Sequence, residues 1–179
     1  MLRPDLAAEN LALIQFFAAN SARRVLRRST GKRIGVKWPN DLILDSLKLG
    51  GILVEARLVG SKIAYAVVGI GLNLNIESSS LPQNATSTFE ATGHLLDQES
   101  LMVALLEELH SSYSDLYEKD KILPEWWQHC VHRMKQVTVV RHEEQISGVS
   151  TGLGHCGELL IKTSSGETLE LTEGTILRS

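Results

Sequence analysis

Four short apolar segments follow one another in the first half of the chain, and very few residues separate them. They are Ile34–Val36, Leu42–Leu44, Gly51–Arg57 and Ile63–Ile70. A parallel crossover needs a dozen residues or more, so connections this short favour antiparallel pairing between neighbouring strands. Pro, Asn, Asp, Gly and Ser in the connections are typical turn residues. The pattern therefore predicts an antiparallel sheet built from consecutive hairpins.

Amphipathic segments before and after these strands predict three helices. They are expected over 5–28, over 98–118 and after Pro124, with Asp5 and Asp97 as N-caps. Four arginines end the first helix, where basic residues favour the negative end of the helix dipole, and they predict a solvated helix end. These are Arg23, Arg24, Arg27 and Arg28. Residues 77–94 are rich in Ser, Thr, Asn and Gly and predict a long loop.

From Gln136 onward the chain shows only short strand-like runs separated by glycines. About 45 residues of this kind are typical of a small barrel. We therefore predict a boundary near Arg133, with one domain over 1–132 and a second over 133–179. The predicted fold class is α+β: an antiparallel or mixed sheet with packed helices, followed by a small all-β C-terminal barrel.

Composition and charge argue against several classes of function. The net charge of −3 provides no general basic field for nucleic acid, so no DNA partner is predicted. No apolar run approaches the ~20 residues that span a bilayer, and the first residues lack the order of a signal peptide. Two cysteines, Cys130 and Cys156, do not form a disulfide framework, which favours a reduced, cytoplasmic protein without a membrane partner.

Polar residues stand at the ends of the predicted strands. If the hairpins share one sheet, Lys37 and Lys48 reach the same end of it, where their point charges suit phosphate or carboxylate groups. Taken singly, each lysine is more simply explained as a surface residue. Pro39 restrains the next turn, in which Asn40 and Asp41 either bond their own backbone or present an amide and a carboxylate to a ligand.

Two further motifs exclude other kinds of site. Gly69 and Gly71 precede no helix and lack the third glycine of a dinucleotide-binding fingerprint. His129 and His132 form one short cluster without the paired spacing of a zinc site, so no protein-bound metal is predicted.

Three sequence motifs together resemble the catalytic domain of biotin protein ligases, also called biotin–[acetyl-CoA-carboxylase] ligases. They read VKWPNDLIL, KLGGILVE and VVGIGLNLNI. The resemblance implies a class II synthetase-like ligase domain and an SH3-like C-terminal barrel. It also implies that biotin and ATP form biotinyl-5′-AMP, with Mg²⁺ neutralising the phosphates. A lysine of a biotin carboxyl carrier protein then accepts the biotin.

The resemblance also implies roles for the residues that match these motifs. The implied catalytic residues are Lys37 and Lys48. The implied biotin-binding residues are Lys48, Gly51, Leu53 and Gly69. The implied ATP- and adenylate-binding residues are Lys37, Asn40, Asp41 and Asn73.

Some family features do not match the sequence. The chain contains no GRGRxGR-like segment, which predicts a partial catalytic domain with poor or no adenylation by this chain alone. Thr151 stands where some members have an arginine that helps with ATP, and no DNA-binding winged helix precedes the ligase motifs, so repressor activity is not expected. Exposed strand edges favour a homodimer.

Three alternatives to an active biotin ligase stay open from the sequence. One is a lipoate or octanoate transferase of the same fold. Another is a non-catalytic ligand-binding or interaction module derived from the ligase fold. In the third, another chain supplies the missing segment.

Overall fold

The computed structural model describes residues 1–142 and 144–177. The α-helices are α1 (Leu11–Thr30), α2 (Thr88–Thr92), α3 (Gln98–Ser111) and α4 (Lys119–Gln128). The strands are β1 (Gly35–Lys37), β2 (Asp41–Leu44), β3 (Leu47–Val59), β4 (Lys62–Leu72), β5 (Gln136–Arg141), β6 (Glu144–Leu153), β7 (Leu159–Lys162), β8 (Thr168–Leu171) and β9 (Thr175–Ile176). Short 3-10 helices cover Ala8–Asn10, Ser78–Ser80 and Tyr113–Tyr117.

The first sheet has the strand order β1-β2-β3-β4, and every pairing in it is antiparallel. This confirms the α+β class and the hairpin connections that the sequence predicts. The register places Lys37 opposite Asp41, and Asp41 opposite Gly51. Farther along, Leu53 pairs with Gly69. Because side chains alternate between the faces of a sheet, these five residues share one face.

The second sheet has the order β8-β7-β6-β5-β9 and is also antiparallel. The pairings among the described residues leave it open, since β8 and β9 end as its two edges. The barrel that the sequence predicts is therefore not seen as a closed ring of hydrogen-bonded strands.

Helix α1 lies at the centre of a continuous apolar core. Ile14, Phe16 and Phe17 are almost fully buried, and Phe16 meets Trp126 of α4 edge-on with ring centroids 4.9 Å apart. The same core includes Val139 of the second sheet. The two sheets are thus held together by apolar burial, the main stabilising contribution in a folded domain. No helix in the described ranges is both long and apolar enough to cross a membrane.

The first helix differs from its prediction at both ends. It begins at Leu11, because the backbone of the preceding segment forms β-bridges to β4 at Leu2 and Ala7. Asp5 forms an ion pair with Lys62 and does not cap a helix. The prediction of a solvated helix end is wrong for Arg23 and Arg24.

Acidic side chains from two other helices bury this arginine end. Arg23 is 4% exposed and lies 2.7 Å from Glu125 of α4. Arg24 bonds both Glu125 and Glu108 of α3. The carboxylates of Glu108 and Glu125, which are distant in sequence, therefore offset the positive charge of Arg23 and Arg24.

Three other predicted boundaries are corrected. The loop over 77–94 contains α2, which Ser87 caps by accepting a bond from the Glu90 amide. The second long helix ends at Ser111, since the Ser112 hydroxyl donates to the Glu108 carbonyl and competes with the helical pattern. The third helix begins before Pro124 and contains it.

Candidate functional site

One face of the first sheet is open along β3 and β4. Leu53 is 61% exposed, and Gly69 and Gly71 on the neighbouring strand leave the backbone bare. The opposite face carries buried residues such as Ile52, which pack toward α1. At Gly69 and Gly71 this strand surface has no side chains, which leaves room for a flat ligand to approach the backbone closely beside Leu53.

At the β1 end of this face the sheet borders a cavity of about 430 Å³. We call it the cationic cavity. Its lining residues are Lys37, Asp41, Ile43, Ser46, Leu47, Lys48, Asn84, Val131, His132 and Lys135. Asp41 is the one carboxylate among the described residues of this lining. It forms an ion pair with Lys48, whose Nζ lies 2.6 Å from Asp41 Oδ1. Two further lysines remain, so the cavity is suited to an anion.

Gly51 connects the cationic cavity to the open sheet face. A Cβ atom at this position would lie 3.5 Å from Asp41 Oδ1 and 3.9 Å from Lys48 Cε. The bare backbone of Gly51 thus lies directly beside both charged groups. A ligand lying along β3 would meet apolar surface at Leu53 and a cationic end at Lys48.

The titration of His132 reflects this environment. Burial, followed by the charges of Lys37 and Lys135, lowers the pKa of His132 to about 4. His132 is therefore a neutral imidazole at pH 7, and it adds a donor and an acceptor rather than a third uncompensated charge.

The turn between β1 and β2 is anchored from two sides. Asn40 donates from its side-chain amide to the Ile52 carbonyl at 2.9 Å, and its own carbonyl accepts from the Ile52 amide at 2.9 Å. The buried Trp38 donates through Nε1 to the Gly157 carbonyl of the second sheet's β6–β7 connection at 3.2 Å. The turn that carries Asp41 is therefore held by β3 and by the C-terminal part of the chain.

Asn73 anchors the segment that follows the sheet. Its side-chain amide donates to the Thr86 carbonyl at 3.1 Å, and Thr86 in turn donates from its backbone to the Lys48 carbonyl at 2.9 Å. Lys48 is thereby flanked on its backbone by residues 84–86. In this arrangement Asn73 positions the segment beside Lys48, while its amide is engaged with protein.

The structure brings some of the predicted site residues together and separates others. Lys37, Asp41 and Lys48 line one cavity, as the idea of converging strand ends predicts. Asn40 lines a different cavity, between α1 and the second sheet. The remaining predicted residues lie on β3, on β4 or just after β4: Gly51, Leu53, Gly69 and Asn73.

Sequence reasoning missed the wall that His132 and Lys135 contribute. The available signal is the run of two histidines and two basic residues over 129–135, of which the sequence analysis interprets only His129 and His132, as potential metal ligands. His129 and His132 open onto different cavities, which separates them as potential ligands of one ion.

Replacing Asn40 with alanine tests the anchoring of the turn. We expect the free energy of unfolding to fall by about 1–2 kcal/mol, because the carbonyl of the buried Ile52 loses its side-chain donor. Urea unfolding followed by circular dichroism measures the change. Asn84→Ala is the matched control, since Asn84 is exposed. Equal stability of both variants would contradict an anchoring role for the Asn40 side chain.

Comparison with known proteins shows a similarity to one protein family. Residues 3–73 match the model of the biotin/lipoate A/B protein ligase family. This range contains α1 and all four strands of the first sheet, with Lys37, Asp41, Lys48 and Gly51.

Curated relatives and solved structures agree with that match. The chain is 31% identical over 143 residues to the bifunctional ligase/repressor BirA of Escherichia coli, covering 77% of this chain and 44% of the relative. It is 27% identical over 175 residues to the biotin–[acetyl-CoA-carboxylase] ligase of Paracoccus denitrificans, covering 93% and 73%. The chain spans about half the length of the BirA relatives that it matches.

Among solved structures, the apo biotin protein ligase of Aquifex aeolicus superposes with a TM-score of 0.81 at 26% identity, over 96% of this chain and 77% of that one. The same ligase in complex with biotin and ATP superposes with a TM-score of 0.76 at 26% identity, over 95% and 73%. The motifs, the family model and these structures converge on the biotin protein ligases, which this chain resembles in sequence and in fold.

Proposed function

We propose that the open sheet face and the cationic cavity bind biotinyl-5′-adenylate, and that the chain serves ATP-dependent biotinylation of a carrier protein. One observation carries the proposal: the glycines on the open face of β3 and β4 lie next to a cavity lined by three lysines. Biotinyl-adenylate has the same polarity, with an apolar bicyclic end and an anionic phosphate. The complex of the Aquifex ligase with biotin and ATP supports this assignment.

In the first step a biotin carboxylate oxygen attacks the α-phosphorus of ATP. The new P–O bond forms as the bond to pyrophosphate breaks, and pyrophosphate leaves with its charge. Two anions must approach one another, so cationic groups placed at the developing charge lower the barrier. Lys48, which is 48% exposed beside Gly51, is assigned to the carboxylate and α-phosphate, and Lys37 to the departing phosphates.

In the second step the amine of a carrier lysine attacks the acyl carbon of the adenylate. An amide bond forms, the bond to AMP breaks so that AMP leaves with the bonding electron pair, and the proton of the amine passes to solvent. Gly51, Leu53 and Gly69 are assigned to the biotin rings, because a ligand there would cover the exposed Leu53 side chain. Asn40 and Asn73 are assigned to the nucleotide side through the segments that they hold.

ATP brings Mg²⁺ as the expected counter-ion, and the cavity fits a metal that arrives on phosphates. Mg²⁺ is usually held by one or two carboxylates together with substrate phosphates. Asp41, the single carboxylate described in the lining, would hold it after releasing Lys48. When bound, the metal would neutralise phosphate charge.

The domain organisation is part of the proposal. We assign 1–132 to a ligase catalytic domain and 133–179 to an SH3-like module, whose short strands and antiparallel order support the assignment. The macromolecular partner is a biotin carboxyl carrier protein, in line with the Paracoccus relative's name.

Thermal unfolding with and without a non-hydrolysable biotinyl-adenylate analogue tests the function. We expect the analogue to raise the Tm, and a lipoyl-adenylate analogue to have a much smaller effect. Lys48→Ala should weaken the affinity for the biotinyl analogue at least tenfold, about 1.4 kcal/mol, because a charge-assisted contact to the ligand is lost.

Lys32→Ala removes the same charge from an exposed site after α1 and is the control for general electrostatics. Stabilisation by the lipoyl analogue alone would favour the transferase alternative. Failure of both analogues to bind would contradict the proposed function.

A further inference from the structure

A second positively charged cavity, of about 410 Å³, lies beside the cationic cavity, and we call it the basic groove. The connection between α1 and β1, the turn between β2 and β3 and residues 128–135 form its walls. Its exposed lining residues are Arg33, Asp45, Ser46, Gln128, Arg133, Met134 and Lys135. The basic groove shares Lys135 with the cationic cavity but contains none of the residues assigned to biotinyl-adenylate.

Backbone hydrogen bonds to both sheets fix the longest wall of the basic groove. Val36 of β1 donates to the His129 carbonyl at 3.0 Å, and Val131 donates to the Val36 carbonyl at 2.9 Å. From the second sheet, Ser150 donates from its amide to the Lys135 carbonyl at 2.9 Å. Because this backbone is already ordered, less conformational freedom is lost when a partner binds to the side chains that it presents.

The basic groove is positively charged although the chain as a whole is not. Arg33, Arg133 and Lys135 share the lining with a single carboxylate, that of Asp45, among the residues that the structure describes. The ion pairs found within 1–142 and 144–177 include none of these three cations. Since the formal charge of the chain is −3, this positive charge is local, and it favours an acidic partner at this surface.

Met134 adds an apolar contact to the same groove. Its side chain is 61% exposed, and its φ of 56° lies in the left-handed region, which is costly for a residue with a side chain. The Met134 amide donates to the Ser150 carbonyl at 3.0 Å, which holds this conformation. Met and Arg are enriched in protein–protein interfaces, whereas nucleic acids are bound mainly through charge and hydrogen bonds to phosphate. An exposed methionine beside two arginines therefore favours a protein partner.

We propose that the basic groove is the docking surface for the biotin carboxyl carrier protein, which binds it through an acidic segment that also carries an apolar side chain. The groove borders the cationic cavity, so a protein bound there lies next to the proposed adenylate site and can present its acceptor lysine to it. Naming the carrier as the partner rests on the proposed function. The preference for an acidic polypeptide rests on the groove alone.

Fluorescence anisotropy of a labelled, unmodified carrier protein titrated with the full chain tests the docking surface. Arg33→Glu and Arg133→Glu should each weaken carrier binding about tenfold, and the affinity of the unchanged chain should fall as salt rises. Met134→Ala should weaken it about threefold, because an apolar contact is lost. Lys135 is left in place, since it also lines the cationic cavity. Lys162→Glu, on an exposed position of β7, is the charge-matched control and should bind the carrier like the unchanged chain.

Unfolding midpoints of the variants establish that the fold persists, and the biotinyl-adenylate analogue should bind them all with unchanged affinity. Carrier affinity that does not respond to Arg33→Glu and Arg133→Glu, or that falls equally in Lys162→Glu, would overturn the docking surface. An unchanged chain that does not bind the carrier, or that binds a single-stranded oligonucleotide more tightly through the same arginines, would overturn it too. Carrier binding that depends on these arginines, without any binding of the biotinyl-adenylate analogue, would retain the docking surface and refute the proposed function.

Discussion

Replacing Glu125 with glutamine is expected to lower the free energy of unfolding by about 3 kcal/mol, because removing one partner of a buried ion pair leaves an uncompensated charge. Glu125 bonds Arg23 at 2.7 Å and Arg24 at 2.8 Å. Burial already lowers the pKa of Arg23 despite this carboxylate, which shows how costly the charged form is there. Guanidinium groups stay protonated in proteins, so the variant retains the buried charge.

Urea unfolding at neutral pH measures the loss. Glu107→Gln makes the same change on the exposed face of α3 and is expected to alter stability by less than about 0.5 kcal/mol. Arg28→Ala removes the exposed member of the same network, 58% exposed, and should cost no more than about 1 kcal/mol. Equal losses for Glu125→Gln and Glu107→Gln would show that the helix end is solvated, as the sequence alone suggested.

Gly157→Ala is expected to reduce stability by about 2–4 kcal/mol, since it combines backbone strain with overpacking. Gly157 has φ +96°, and a Cβ atom there would lie 2.2 Å from Phe16 Cε2. Phe16 is buried against Trp126 and has little freedom to retreat. Any displacement of Gly157 would also move the carbonyl that accepts from Trp38.

Gly166→Ala separates the two causes. Gly166 has φ +88°, but a Cβ atom there would meet nothing within 4 Å, so this variant carries the strain alone. It should lose about 1 kcal/mol. A loss at Gly157 no larger than that at Gly166 would contradict a rigid contact between Gly157 and Phe16. For Gly157→Ala we also expect weaker binding of the biotinyl-adenylate analogue, as the turn carrying Asp41 shifts.

The hairpin order of the first sheet was predictable because its determinants are local. Turn residues and run lengths between positions 34 and 70 leave few other topologies, and the register that follows brings Lys37, Asp41 and Lys48 together. The same local reasoning is too coarse for helix boundaries, which side chains such as Ser112 shift by competing for backbone groups.

The arginine end of α1 and the cavity wall formed by His132 and Lys135 were not predictable in this way. Arg23 and Glu125 are 102 positions apart in the sequence, and no local pattern around either residue predicts their ion pair. Lys135 lies at the cavity because the backbone bridge between Cys130 and Val36 brings residues 129–135 alongside β1. Such contacts depend on tertiary packing, which a single sequence does not display.

The bond from Trp38 to Gly157 has a consequence for the order of events during synthesis. It joins positions 119 residues apart, so the β6–β7 connection must leave the ribosome before Trp38 Nε1 can donate to the Gly157 carbonyl. The first sheet can form its hairpins earlier, since its contacts are close in sequence and such contacts form fast. A nascent chain stalled before Gly157 should thus hold a folded sheet whose β1–β2 turn is still loosely held. Maturation of that turn is a late step, timed by translation of the C-terminal strands.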